Sequence, residues 1–340
     1  AGQRFADRVV NYSLDKYRLR FDHKLVGQLQ EDYQVEVWRR NSSLGLDWYP
    51  DFRGLFAGYA FETKQTTTFT ATVPGQMNLL ARRIIAYDAS PVDNQRSNFV
   101  SDPAETVLKR LVQYNATASA TQAGGRDRNG AFSSFTISIE TDLGRGNTIS
   151  WQGSRKNLLT ELQKIAEVAG GDFDLVKTGG ATWQFRFYPG QLGTDKSGSV
   201  VFSLSRGNMA NPKVEVTPQV AQVAIVGGQG REDARTIELL PTSYNHALPV
   251  DGPELFVDGR NDTSADALRS RGSIALSEAD RKLVFSFDVV QTPTSYYGLH
   301  YGLGDLVKAE YMDLSAIKGV RGVSVYVKRD QGEDIKVEVE

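Results

Sequence analysis

Two aspartates flanked by aromatic side chains form the most enzyme-like group in this sequence. Asp47 and Asp51 bracket Trp48 and Tyr49. Glycoside hydrolases use two carboxylates as acid and base or nucleophile, and aromatic rings stack on sugars. Tryptophan and tyrosine at a turn are also typical of protein interfaces, and we favour that interpretation. A cell-wall or polysaccharide hydrolase is the alternative.

A glycine-rich turn imitates a nucleotide-binding loop. Gly228 and Gly230 are followed by Glu232 and Asp233. A dinucleotide fingerprint needs a third glycine where its helix packs on the strand, and acidic residues occupy that place. A P-loop needs lysine followed by serine or threonine, whereas these acids repel a phosphate. The pattern predicts a strand, a tight glycine turn and a returning strand.

The residue types that most often carry catalysis are isolated or missing. His23, His246 and His300 lie in unrelated segments without the spacing of a metal site or a paired general base. We expect His300, between Tyr297 and Tyr301, to be a packed or interface residue rather than a metal ligand. The chain contains no cysteine, which excludes disulfides, thiolate zinc sites and cysteine nucleophiles.

Three aspartates recur at every fourth position, at Asp258, Asp262 and Asp266. A calcium loop needs oxygen ligands at alternate positions and a glycine at the sixth, so we expect a solvated helix start instead. The sequence also has no Gly-x-Ser-x-Gly elbow for a nucleophile. We therefore predict no catalytic residues, no metal site, no cofactor and a role that is not enzymatic.

Charge and hydropathy restrict the partners. The chain has 39 basic and 41 acidic residues, a formal net charge of -2 and a pI of about 6.1. Proteins that hold nucleic acid usually show clustered basic residues and a high pI. No apolar run reaches the roughly 18 residues of a membrane helix. Neither stable nucleic-acid binding nor stable membrane insertion is expected.

Alternating side chains predict a β-rich region at residues 1–100. The segments Tyr17–Asp22 and Tyr33–Trp38 alternate apolar and polar residues, the period of a half-buried sheet. Residues 52–73 are rich in Phe, Tyr and Thr, which fits a strand, a bend and a second strand. The pattern predicts a small β-barrel or sandwich.

Two amphipathic helices indicate a small α/β insert at residues 101–200. The first is predicted to begin with Asp102 as N-cap and Pro103 at the first helical position, with Glu105 completing an acidic capping box. The second is predicted to begin near Ser154 and to stop at Gly170. Their predicted apolar stripes are Ala104, Val107, Leu108, Leu111 and Val112, and Leu158, Leu159, Leu162, Ile165, Ala166 and Ala169.

Strands return at residues 201–340, interrupted by a short helix that begins near Ser264. The predicted strands are 200–204, 219–226, 236–240, 283–290, 306–311, 322–328 and 335–339. The fold class is thus mainly β with α+β insertions, with two β-barrel-like domains flanking the α/β insert. The segments 124–130 and 190–199 are predicted to be flexible loops.

The order of these segments resembles the tail-hub proteins of long-tailed bacteriophages. That siphophage tail-tip family is related to the central hub of contractile phage baseplates. The resemblance spans residues 14–339, and its best motifs are Gly-Gln-Gly-x-x-x-x-Arg, ending at Arg235, and Tyr-Gly-Leu-Gly-Asp, ending at Asp305. Gly207-Asn208-Met209 and the opening of the second helix at Asn157 complete the order.

The resemblance implies a structural virion protein of the tail tip, assembled in the bacterial host cytoplasm. Family hubs carry two barrel-like domains per subunit, and three subunits close a ring around the tail channel. A homotrimer of such subunits matches the sixfold end of a tail tube. The implied partners are other copies, a distal tail or tube protein, a tape measure protein and tip or fibre proteins.

Two further expectations come from the hub role. The ring surrounds the DNA exit channel, and DNA passes transiently without specific binding. A host-surface-binding tail module that uses Trp48, Tyr49 and residues 296–301 is an alternative that can coexist with the hub.

Overall fold

The computed structural model of the chain describes residues 10–13, 30–63, 67–86, 92–93, 96–123, 126, 128–242, 252–260, 262, 264–328 and 332–339. The predicted strand Tyr17–Asp22 lies outside these residues, as do His23 and His246. The described part is mostly β-strand with four α-helices, so the predicted fold class is confirmed. The chain forms two compact units that are divided between Leu79 and Leu80.

The first unit is built from antiparallel strands. Its elements are β1 (Val10–Ser13), β2 (Gln34–Asn41), β3 (Leu46–Leu55), β4 (Gly58–Thr63) and β5 (Thr67–Thr72), and helix α1 (Asn78–Ala81) spans the division between the units. Strand β5 lies between β1 and β4, and β2 pairs with β3. Val35 and Val37 pack against the core residues Phe52, Phe56, Ala71 and Val73, as the alternation at residues 33–38 predicts.

The second unit opens with a layered α/β region. Its elements are β6 (Val92–Asp93), β7 (Arg96–Pro103), α2 (Ala104–Ala116), β8 (Thr136–Ile139), β9 (Thr148–Gly153), α3 (Leu158–Ala169), β10 (Gly171–Lys177) and β11 (Thr182–Pro189). They form two three-stranded sheets, ordered β6-β7-β9 and β10-β11-β8. The apolar stripes predicted for both helices are buried in full.

The start of α2 differs from the prediction. Asp102 belongs to β7, where it pairs with Ile149, so the N-cap is Pro103 and no side chain caps the helix. The first helical amides donate instead to backbone carbonyls, from Ala104 N to Asn147 O at 3.0 Å and from Glu105 N to Arg145 O at 3.1 Å. These bonds replace the predicted capping box.

Helix α3 begins four residues after the predicted start. Residues 155–157 are held outside the helix by the segment 83–85, with Arg155 N donating to Ile85 O at 2.7 Å and Ile85 N to Lys156 O at 2.8 Å. Asn157 is the N-cap and accepts from Thr160 N at 3.2 Å. The predicted glycine stop is confirmed, because Gly170 takes a left-handed φ of 62°.

The remaining strands form two sheets. Strands β12 (Val201–Ser203), β18 (Leu306–Tyr311), β19 (Leu314–Lys328), β20 (Gly332–Val339), β17 (Lys282–Val289) and β13 (Met209–Thr217) pair in that order in a six-stranded sheet. Strands β15 (Ile237–Leu240), β14 (Val223–Gly227) and β16 (Glu254–Asp258) form a three-stranded sheet covered by α4 (Ala265–Glu278). Ser264 caps α4 as predicted, accepting from Ala267 N at 3.2 Å.

The expectation of a flexible loop at 190–199 was wrong. Gly193 N donates to Gly304 O at 3.2 Å, Thr194 N to an Asp305 carboxylate oxygen at 2.7 Å, and Lys196 N to Leu306 O at 2.8 Å. The loop is therefore tied to the beginning of β18. The other predicted loop, 124–130, lies partly outside the described residues.

Candidate functional site

The acidic pair Asp47 and Asp51 lies along one extended strand, β3. Four residues of a strand span roughly 13 Å, more than the roughly 5–9.5 Å between the carboxylates of glycoside hydrolases. Arg39 pairs with Asp51 at 3.4 Å and donates to the Tyr49 hydroxyl at 2.9 Å. The group lacks the spacing of a hydrolytic acid pair, and Trp48 within it is 53% exposed.

The glycine turn joins two antiparallel strands, as predicted. Strand β14 ends at Gly227, a 3₁₀ turn follows at Glu232–Ala234, and β15 returns. No helix follows β14 in this described segment, so the turn does not form a phosphate-binding loop. Gly230 has a φ of +104°, and a side chain there would collide with Ala234 O.

Arg235, the last residue of the glycine motif, fixes the turn. Its guanidinium donates to Gly228 O at 3.1 Å, to Gly227 O at 3.0 Å and to the Asp258 carboxylate at 3.0 Å. It also lies over the Phe256 ring, 5.1 Å from the ring centre. One planar side chain, two residues before β15, therefore connects the turn to the ends of β14 and β16.

The three-stranded sheet has an exposed apolar face. Ile225 lies opposite both Leu239 and Phe256 in the register, and Gly227 lies opposite Ile237. The outer apolar face, defined as Ile225, Ile237, Leu239 and Phe256, is opposite the face that packs on α4. Leu239 is 54% and Phe256 57% exposed. Contiguous exposed apolar surface marks an interaction site.

The six-stranded sheet ends in an exposed edge. Strand β13 is its outer strand and pairs with β17 alone among the described strands. The open edge, residues 213–217, is exposed throughout. Val214 lies opposite buried Phe285, so the core face of the sheet continues to solvent here. An edge strand offers unpaired amide and carbonyl groups to another chain.

The tyrosine segment at 296–301 is structural. Tyr296, Tyr297 and Tyr301 are buried, and His300 Nδ1 accepts from Tyr296 N at 3.0 Å. His300, predicted to be a packed or interface residue, is partly buried. The segment does not supply the exposed tyrosine cluster that the host-binding alternative requires. Asp305 is the last residue of the Tyr-Gly-Leu-Gly-Asp motif. Its carboxylate accepts a hydrogen bond from Gly302 N at 2.8 Å, within the same motif.

Asn208 is a structural residue whose role sequence reasoning missed. Its side chain is buried; its Oδ1 accepts from Ser203 N at 2.9 Å, and its Nδ2 donates to Val201 O at 2.9 Å. Gly207 beside it has a φ of +67°. The Gly-Asn pair in the motif is the signal that indicates this tight turn.

A buried ionic cluster was also missed. Glu105 is fully buried and contacts Lys109 at 2.5 Å and Arg145 at 2.8 Å, and Glu140 completes the cluster. Burial raises the pKa of Glu105, but hydrogen bonds from Arg145 and Lys109 outweigh it and lower the pKa from 4.5 to about 2. The carboxylate is therefore charged at neutral pH.

The three recurring aspartates bind three different arginines. Asp258 contacts Arg260 at 2.6 Å, Asp262 contacts Arg271 at 2.5 Å and Asp266 contacts Arg269 at 3.4 Å. Asp258 ends β16 and only Asp266 lies in the first turn of α4, so a common helix start was a wrong expectation. Across the described residues no group of three His, Asp or Glu could hold a metal ion.

Comparisons with known proteins identify the family. The chain matches the model described as Siphovirus ReqiPepy6 Gp37-like protein over residues 49–339. A search of curated proteins finds no match. No helix in the described ranges is long and apolar enough to cross a membrane.

Several solved structures are similar. One is the 43 kDa tail protein of prophage MuSo2 from Shewanella oneidensis, with a TM-score of 0.55 and 10% identity over 98% of this chain and 89% of that chain. A tail protein from Neisseria meningitidis MC58 gives 0.47 and 12% over 86% and 81%. A prophage tail protein from Listeria monocytogenes EGD-e gives 0.46 and 10% over 90% and 84%.

The family match covers most of the chain, and the fold is shared with the Shewanella tail protein along nearly its whole length. The predicted relation to siphophage tail proteins is thus confirmed. The chain belongs to the siphovirus ReqiPepy6 Gp37-like family and has the fold of a phage tail protein.

Proposed function

We propose that the chain is a baseplate hub protein of a siphophage tail tip. Three copies form a ring that connects the tail tube to the distal tip and surrounds the DNA exit channel. Residues 1–100 and 201–340 supply the two barrel-like domains, and residues 101–200 form the insert between them. The family and the tail-protein fold support this role.

The open edge of β13 carries the proposal. The outer strand of the six-stranded sheet has five consecutive exposed residues. Two of them, Val214 and Val216, lie on the core face of the sheet but are exposed to solvent. Such an edge is usually covered in a native assembly. The outer apolar face is a second and different surface on the same subunit. Two different surfaces suit head-to-tail contacts, and these close into a ring when the rotation between copies allows it.

The partners follow from the position in the tail. Other copies cover the open edge, and neighbouring tail proteins contact the rest of the ring. They include the distal tail or tube protein, the tape measure protein and tip or fibre proteins. Assembly takes place in the bacterial host cytoplasm, and the finished protein is part of the virion tail tip.

The charges of the six-stranded sheet fit transient passage of DNA. Three lysines on the face opposite the core are each paired with an acid: Lys213 with Glu215 at 2.7 Å, Lys308 with Glu310 at 2.6 Å, and Lys336 with Asp288 at 3.3 Å. A cation already paired with a carboxylate attracts phosphate weakly. The net charge of -2 also weakens the attraction between the protein and DNA.

Host-surface binding is a second candidate, favoured by the aromatics of the first unit. Trp38 and Trp48 are exposed, and the Arg40 guanidinium lies 4.8 Å from the centre of the Trp48 ring. Trp48→Ala is expected to reduce adsorption of purified protein to host cells if this surface binds them. Unchanged adsorption would remove the candidate and leave the hub role intact.

Native mass spectrometry tests the hub proposal. We expect a species of three times the 37.5 kDa mass of one chain, and we expect the protein in purified tails. A protein that is monomeric at every concentration and absent from particles would contradict the proposal.

A further inference from the structure

A polar pocket lies within the second unit, where β9 and the helices α3 and α4 meet. Its volume is about 150 Å³. Gln152, Glu161 and Asp262 line it and are buried. Lys164 and Glu278 also line it, with side chains 38% and 48% exposed. The polar pocket, as we call this site, therefore has a buried polar floor and a mouth that opens to solvent.

The charges that line the polar pocket compensate one another. Its six charged side chains among the described residues form three ion pairs: Lys156 with Glu161 at 3.3 Å, Lys164 with Glu278 at 3.6 Å, and Arg271 with Asp262 at 2.5 Å. A charged ligand would have to take one partner from a pair, and the charge left behind would be poorly solvated. The polar pocket therefore favours a neutral ligand.

Gln152 has an unused hydrogen-bond acceptor. The residue is 5% exposed, and its Oε1 has no partner among the described residues. Its Nε2 donates to the Oγ of Ser264, the N-cap of α4, at 3.5 Å. Buried acceptors nearly always have a partner, because an unsatisfied one costs free energy. A ligand that donates a hydrogen bond at this position would recover that free energy.

The size and the lining of the polar pocket suit a sugar ring. A cavity of about 150 Å³ can hold a single six-membered ring. A polar cavity holds water, so a ligand that enters must replace the hydrogen bonds of that water. A sugar carries hydroxyl groups around its ring and C–H groups on its faces. Val257, Ile274 and Ala275 give the pocket an apolar side for those faces.

A nucleobase, the other common neutral polar ring, fits the polar pocket less well. Proteins hold single bases largely by stacking them on the open faces of aromatic side chains. Trp151 is the aromatic residue of the described lining, and it is buried. The Phe99 ring centre lies 6.3 Å and Lys156 Nζ 5.8 Å from the centre of its ring. Trp151 therefore offers little open face for a base.

We propose that the polar pocket binds one neutral sugar unit. Gln152 Oε1 accepts a hydrogen bond from a sugar hydroxyl. The Arg271 guanidinium, which Asp262 holds through Nε, donates to a sugar oxygen. All the residues of this site belong to the second unit. Sugar binding therefore needs neither the ring of three copies nor the aromatic side chains of the first unit.

Saturation-transfer NMR and titration calorimetry on the full chain test the proposal. The probes are glucose, galactose and N-acetylglucosamine, and the comparison probes are glucosamine, glucuronate and cytosine. Ile274→Trp fills the polar pocket, and Gln152→Leu removes the unused acceptor. The matched controls, Ile317→Trp and Gln113→Leu, change residues that do not line the pocket. Circular dichroism confirms that each variant is folded.

We expect at least one neutral sugar to bind, and the two charged sugars and cytosine to bind at least about tenfold more weakly. Gln152→Leu should weaken sugar binding by about three- to tenfold, the loss of one hydrogen bond. Ile274→Trp should weaken it by more than about tenfold, and the controls and Trp48→Ala by less than about twofold. Absence of binding by all three neutral sugars, equal losses in control and pocket variants, or a charged sugar or cytosine that binds as tightly would each overturn the proposal.

Discussion

At the scale of single residues, Glu105 is fully buried and still ionised, because Lys109 and Arg145 hold its carboxylate. Lys109 in turn donates to Thr141 O at 2.7 Å, and Arg145 donates to Phe187 O at 3.0 Å. The cluster therefore connects α2 to the ends of β8 and β11. Removing the Glu105 carboxylate leaves Lys109, whose side chain is 2% exposed, charged and buried with one fewer partner.

Glu105→Gln is expected to lower the free energy of unfolding by about 3–5 kcal/mol, the usual cost of breaking a buried ion pair. Urea unfolding at neutral pH measures it. Glu310→Gln, which breaks the surface pair with Lys308, is the control and should cost less than about 1 kcal/mol. Equal unfolding midpoints for Glu105→Gln and the native chain would disprove the role of the cluster.

The same residue predicts a pH dependence. The pKa of Glu105 is 4.5 without these contacts and about 2 in the folded chain. Its contribution to stability is therefore complete above the unfolded pKa and is lost as the pH falls from about 4.5 towards 2. The difference in thermal midpoint between the native chain and Glu105→Gln should shrink over that range. A difference that stays constant down to pH 2 would argue against the lowered pKa.

Arg235→Lys tests the turn of the glycine motif. Lysine keeps the charge but lacks the planar fork that reaches two carbonyls and a carboxylate. We expect a loss of about 1–3 kcal/mol in stability, because at least one carbonyl loses its donor. Chemical denaturation measures this loss, and Arg231→Lys, an exposed arginine in the same turn, is the control. A loss no larger than that of the control would mean that the fork does not fix the turn.

At the scale of elements, the open edge of β13 decides whether copies join. Val214→Lys with Val216→Lys places charge on both apolar positions of the edge, which blocks edge-to-edge pairing. We expect this variant to be a folded monomer and the native chain to be a trimer, as measured by light scattering after size exclusion. Leu143→Lys, at an exposed position of the α/β region, is the control. A variant that remains fully trimeric would show that copies do not meet at β13.

The elements differ in how far the sequence predicts them. The stripes of α2 and α3 are predicted residue by residue, because their apolar spacing is local and regular. Strand β13 is not predicted from the sequence, because it contains Pro212 and proline argues against a regular strand. In the structure Pro212 lies at a bulge between Ala210 and Lys213.

Contacts between distant segments could not be predicted. Asp305 and Thr194 are 111 residues apart, and Arg145 and Glu105 are 40 apart. No local sequence pattern indicates which distant segments come into contact in the folded chain. The glycine turn could be predicted, because it depends on neighbours in the chain.

At the scale of the whole molecule, the chain combines a tail-protein fold with two surfaces that suit other chains: the open edge and the outer apolar face. The central claim is that copies of this chain assemble through such surfaces to encircle a passage. Electron microscopy of the purified, assembled protein tests it most directly. We predict a threefold annulus with a central hole, whereas single subunits or compact assemblies without a hole would contradict the account.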